Sequence, residues 1–104
     1  MLDVSPEALT CIRAILERYV PDAEVLAFGS RVTGTASPWS DLDIAILSEG
    51  PLDYALLAEM RDAFSESDLP YRVDVLDWSS LSEEFRLLIR NQYYQLQQPK
   101  NRNK

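Results

Sequence analysis

Two short segments, DLDIAIL (41–47) and RVDVLD (72–77), interleave carboxylates with branched aliphatic residues at every second position. Side chains alternate across a strand, so Asp41 and Asp43 share one face while Leu42, Ile44 and Ile46 share the other. In the later segment Val73 and Val75 share a face and Asp74 lies opposite. Both segments read as strands. If their apolar faces pack on the same helices, three carboxylates gather on the opposite face. Three anions with no histidine in the chain and no lysine nearby repel one another. A divalent cation relieves that repulsion, and oxygen-only ligands select Mg²⁺ or Mn²⁺.

The segment GSRVTGTASPWS (29–40) runs straight into the first acidic pair. Gly29 lets the backbone approach a ligand closely. A helical turn starting at Ser30 aims N–H groups and a hydroxyl at a phosphate. Gly34, Pro38 and the Ser/Thr residues limit this stretch to at most one helical turn. A phosphate cradle beside a carboxylate-held metal is equipment for transfer to or from a nucleoside triphosphate, where metal ions neutralise phosphate oxygens and stabilise the leaving pyrophosphate.

The surrounding pattern supplies helices for these strands. Ser5 is a natural N-cap and Pro6 fits the first helical position; Leu9, Ile12, Leu16 and Tyr19 recur at helical spacing, and Pro21 ends the element. EVLAF (24–28) reads as a buried strand leading into Gly29. Leu52, Leu56, Met60 and Phe64 recur every four residues and predict a second amphipathic helix. The stretch 79–97 predicts a third long helix carrying Leu81, Phe85, Leu88, Ile89 and Leu96, with a capping box formed by Ser80 and Glu83. The order is α-β-turn-β-α-β-α, an α+β fold with a short mixed sheet flanked by helices. One domain over 1–98 and a polar, disordered tail over 99–104 are expected.

Composition narrows the chemistry. The single cysteine, Cys11, excludes an internal disulfide and a multi-cysteine zinc site, and reads as a small buried hydrophobe. The absence of histidine removes the commonest general base. A net charge of −7 argues against a nucleic-acid surface and suits solubility or a basic protein partner. No apolar run approaches a membrane span and the N-terminus is not a signal peptide, so a cytoplasmic location with no membrane partner is expected. Asp77 lies an odd number of positions from Asp74, which assigns it to the other side and to the next helix start. Trp39 reads either as a base-stacking residue or as a loop anchor; Tyr93 and Tyr94 read as core-edge or partner-contact residues.

Gly29-Ser30, ten intervening residues and Asp41-Leu42-Asp43 together resemble the G-S-x(10)-D-x-D signature of the minimal nucleotidyltransferases in the DNA polymerase β-like superfamily. Arg31, Gly34 and Ser40 resemble that family's fuller motif, and Asp74 in RVDVL matches its third carboxylate. The resemblance covers nearly the whole chain. It implies that Gly29 and Ser30 hold the nucleotide's phosphates, that Asp41, Asp43 and Asp74 bind one or two Mg²⁺, and that Asp74 helps activate the acceptor hydroxyl. Arg31 is expected to steady the turn or to touch phosphate, and Ser40 to take part in nucleotide binding. At this length the chain resembles the MNT antitoxins of HEPN–MNT toxin–antitoxin modules. That likeness implies transfer of AMP from ATP to a tyrosine of a HEPN ribonuclease toxin. Two alternatives stand beside it: an antitoxin that acts by binding alone, and nucleotidyl transfer to a small molecule.

Overall fold

The computed structural model describes residues 2–100. The elements run α1 (Pro6–Tyr19), β1 (Glu24–Phe28), α2 (Ser30–Thr33), β2 (Leu42–Leu47), α3 (Tyr54–Ser65), β3 (Val73–Asp77), α4 (Glu83–Asn91) and β4 (Tyr94–Gln97), with a 3-10 turn at Trp78–Ser80. The strands form one mixed sheet in the order β3-β2-β1-β4. β1 pairs antiparallel with both β2 and β4, while β2 and β3 run parallel, joined through α3. This is the expected α+β architecture with one added strand.

Alternation decides which helix covers which face. Val25, Ala27, Leu42, Ile44, Ile46, Val73 and Val75 point to one side and pack against Ile12 and Leu16 of α1 and Met60 and Phe64 of α3. Leu26, Phe28 and Ala45 point to the other side and pack against Ile89 of α4. Phe28 and Phe85 meet edge to face with ring centroids 5.7 Å apart, a favoured aromatic geometry. The acidic face of β2 and β3 is therefore covered by α4 only over its Ala45–Leu76 end. The end bearing Asp43 and Asp74 stays open.

Ser5 caps α1 as expected, accepting from the Ala8 N–H at 3.1 Å. Two expectations need correction. The cap of α4 is Ser82, whose hydroxyl accepts from the Phe85 N–H, while Ser80 lies in the preceding 3-10 turn. The helix expected over 79–97 ends at Asn91, where Gln92 turns extended, and Tyr94–Gln97 becomes the outer strand β4. Leu96 is buried, as its apolar character demands, but in the core under α1 rather than on a helix. The reason is tertiary: β1 is a buried strand with an unfilled edge, and β4 satisfies it. Arg13 Nε donates to the Leu96 carbonyl, and the Gln97 amide donates to the carbonyls of Val20 and Ala23, fixing the strand in place. Strand preference is a matter of such fit more than of intrinsic propensity. Of the tail expected over 99–104, residues 101–104 lie outside the described residues; Lys100 pairs with Glu17.

The loop from α2 to β2 is organised around one cation. Arg31 is 5% exposed. Its Nε donates to the Ser40 carbonyl at 2.9 Å, Nη1 to Asp3 at 3.0 Å, and Nη2 to Pro38 at 2.9 Å and Ser37 at 3.3 Å. The guanidinium also stacks 3.8 Å from the centre of the Tyr71 ring. One rigid fork thus ties the N-terminal segment, the loop and β3's leading edge together. Arg31→Met should strip these carbonyls of their donor and cost roughly 3 kcal/mol, since each buried unsatisfied acceptor costs about 1–3 kcal/mol. Arg31→Lys should recover less than half, because one ammonium cannot reach three segments. Urea midpoints of the two variants check this.

Candidate active site

The site lies where β1 ends and β2 and β3 begin. Asp43 and Asp74 are register partners on adjacent parallel strands, and Phe28 partners Asp43 from β1. All three side chains therefore point to the same side of the sheet, Phe28 buried against Phe85 and the two carboxylates at the open end. Asp41 stands just before β2, and Arg72 just before β3, one step ahead of the Leu42–Val73 pair. The Leu42 N–H donates to the Arg72 carbonyl at 2.9 Å, which locks the two strand starts together.

Gly29 is the residue between β1 and α2, with φ 84° and ψ −158°. Any Cβ at this position would overlap Asp43 Oδ2. Glycine is thus required twice over, for its positive φ and for the room it leaves the carboxylate. The Gly29 carbonyl accepts from the N–H groups of Val32 and Thr33, which sets the helical turn. The first N–H groups of such a turn have no partner within it, and they belong to Ser30 and Arg31, beside Asp43. Gly34, at φ 90°, closes the turn.

Electrostatics follow from this crowding. Asp43's pKa is raised above the ordinary 3.8, first by burial, then by the charges of Asp74 and Asp41; Arg72 opposes the rise. Arg72 Nη2 lies 3.1 Å from Asp41 Oδ2. Asp41 is thereby turned toward Arg72, and among the described residues no three carboxylates close on one point tightly enough to coordinate an ion. Of the three carboxylates expected to gather, the structure brings Asp43 and Asp74 together as an adjacent pair, with Asp41 electrostatically coupled and paired with Arg72.

The remaining expected residues fall into two groups. Of the two roles open to Arg31, bracing the turn is the one its contacts describe, with the guanidinium directed onto backbone carbonyls. Ser40 acts alongside it: its hydroxyl accepts from the Ser37 N–H at 2.9 Å and its carbonyl accepts from Arg31. Asp77 faces away from the site, accepting from the Leu52 and Ser79 N–H groups, so it caps the 3-10 turn and ties it to the start of α3. Trp39 is 79% exposed on the loop, which does not fit a loop anchor. Sequence reasoning passed over Arg72, although its position two residues before Asp74 places both on one strand face.

Comparisons with known proteins bear on the family and the fold. Residues 9–100 match the model of the nucleotidyltransferase domain family. The chain is 53% identical over 97 residues to a probable protein adenylyltransferase, MntA, of Haemophilus influenzae, covering 93% of this chain and 85% of that protein. A toxin–antitoxin structure with AMP-PNP superposes with a TM-score of 0.75 at 29% identity, covering 88% of this chain and 74% of that one. A complex of tri-AMPylated Shewanella oneidensis HEPN toxin with its MNT antitoxin matches with a TM-score of 0.66 at 26% identity, covering 86% and 69%. With a glycine-serine turn, a DxD at the start of β2 and a partnering Asp74 spread across a match of that length, the chain belongs to the nucleotidyltransferase domain family.

Proposed function

We propose that this protein is an Mg²⁺-dependent protein adenylyltransferase that moves AMP from ATP to a tyrosine hydroxyl of a HEPN ribonuclease toxin, and so acts as the toxin's antitoxin. The observation that carries the reading is the Asp43–Asp74 pair on adjacent parallel strands, facing Gly29 at the open end of the sheet. The relative named as a probable protein adenylyltransferase and the structure of a tri-AMPylated HEPN toxin with its antitoxin support the acceptor class. ATP as donor accords with the AMP-PNP complex of a similar protein. A cytoplasmic location, where ATP is available, accords with that donor.

The donor set fits a hard divalent cation. Asp41, Asp43 and Asp74 offer only carboxylate oxygens, the ligands Mg²⁺ and Mn²⁺ prefer. Burial and mutual repulsion already raise Asp43's pKa, a cost that a cation would reverse. One or two such ions, when bound, would neutralise the phosphate oxygens and the leaving pyrophosphate. The residues do the rest. Gly29 and Ser30 receive the β- and γ-phosphates on the turn. Asp74 accepts the proton of the acceptor hydroxyl, whose ordinary pKa near 10 leaves it protonated at neutral pH. The hydroxyl oxygen then bonds to the α-phosphorus as the bond from that phosphorus to pyrophosphate breaks.

Mixing the protein with labelled ATP, Mg²⁺ and a HEPN partner should transfer label to the partner, and Asp41→Ala with Asp43→Ala should abolish it. Transfer that persists in the double variant overturns the reading, and neutralisation without transfer points to action by binding alone. Gly29→Ala should lower transfer at least tenfold, because the new methyl displaces Asp43 and positive φ penalises alanine by about 1 kcal/mol. Asp43 also makes a stability prediction. Its folded pKa lies above 3.8, so the folded chain binds that proton more tightly and loses stability as pH rises through the folded value. Asp43→Asn should therefore raise the metal-free melting temperature at neutral pH, with the gain fading as pH falls toward 3.8. Added Mg²⁺ should stabilise the wild type and not this variant.

A further inference from the structure

Arg72 is the cation that stands against the site's carboxylates in the described residues' contacts. It pairs with Asp41 at 3.1 Å and offsets part of the repulsion felt by Asp43. Its side chain is 75% exposed and Asp41's is 41% exposed. Ion pairs so open to water are weak, typically below about 1 kcal/mol, so a divalent cation can displace one. Among the described residues the guanidinium's side-chain bond is to Asp41, while the structural contact of Arg72, to Leu42, runs through the backbone carbonyl. Arg31, by contrast, has its donors committed to carbonyls and is unable to leave. Arg72 and Asp74, at alternate positions of one extended segment, project to the same face.

We propose that Arg72 is a displaceable counter-ion: it holds Asp41 until a divalent cation claims that carboxylate, and then binds the phosphates of the metal-bound nucleotide. This rests on the nucleotidyltransferase reading above. The exchange is balanced in charge. While the site holds no ion, the guanidinium compensates Asp41. When an ion arrives with a triphosphate, Asp41 turns to the ion, and the freed planar fork meets phosphate oxygens, for which its geometry is suited. No covalent step is involved. Arg72 is thus a positioning residue for Asp41 and a binding residue for the nucleotide.

The test measures Mn²⁺ binding to the full chain without nucleotide, and separately the binding of a non-hydrolysable ATP analogue with Mg²⁺, for wild type, Arg72→Gln, Arg72→Lys and the Asp41→Ala, Asp43→Ala double variant. Arg72→Gln should fold normally, by an unchanged melting curve at low pH, since the side chain is exposed. It should bind Mn²⁺ about two- to fivefold more tightly than wild type, because the competing cation is gone, and bind the analogue roughly tenfold more weakly. Arg72→Lys should restore Mn²⁺ affinity to near wild type and analogue affinity only in part. A purely structural Arg72 would lower both affinities together, which overturns the proposal, as does an unchanged Mn²⁺ affinity in Arg72→Gln. Mn²⁺ binding that is equal in wild type and in the double variant removes the metal site itself, and with it the function on which this inference rests.

Discussion

The parallel register of β2 and β3 forces Asp43 and Asp74 side by side, and much of the molecule is arranged to hold that unfavourable contact. Two carboxylates in adjacent positions of neighbouring strands are destabilising when both are ionised. The repulsion is not relieved by separation, because sliding the strands by one residue would turn Leu42, Ile44 and Ile46 out of the core. These three side chains are fully buried against α1 and α3. The core thus pins the register, and the register pins the charges. Asp43's raised pKa reflects its burial first and then the nearby charges of Asp74 and Asp41, both consequences of that register.

Arginine serves the site in two opposite ways. Arg31 is buried, stacked and bonded to carbonyls from separate segments, so it converts a loop of small residues into a fixed wall beside Asp41. Burial of its charge is tolerable because these acceptors and the Tyr71 ring replace water. Arg72 is exposed and singly paired, so its position is set by the local charge balance. A lysine would fail at the first place for lack of a fork and would be a weaker phosphate ligand at the second.

Much of this was legible in the sequence, for reasons that can be named. The period-two alternation around Asp41, Asp43 and Asp74 reported strand faces directly, and the positions of Gly29 and Ser30 reported the turn. The first helix was fixed by Ser5 and Pro6, whose roles are local. The misreadings occurred where tertiary demand decides. Leu96 follows Ile89 by seven residues, a spacing that suits a helix, yet Tyr94 and Leu96 also alternate with Gln95 and Gln97 as a strand requires. Only the open edge of β1 chooses between them. Ser80 and Ser82 both offer a cap, and the bond from Phe85 N–H selects the second. Whether Arg31 faced phosphate or backbone was not written in its neighbours, because its partners Asp3 and Tyr71 are distant in sequence.

The open placement of the site carries a thermodynamic consequence. A cation that binds the folded chain and not the unfolded one stabilises it in proportion to the logarithm of its concentration over the dissociation constant. In this fold that linkage is concentrated on residues that otherwise oppose folding, because the carboxylates that would hold the ion are also those whose repulsion costs stability. α4 could have covered them, as it covers Ala45 and Leu76 further along the same face, but that would exclude ligand along with water. The sheet instead keeps one end bare and charged, with a buried arginine bracing the adjoining loop and an exchangeable one offsetting the charge. Stability and ligand binding are thus coupled through the same few charges, and a change at Asp43 must alter both.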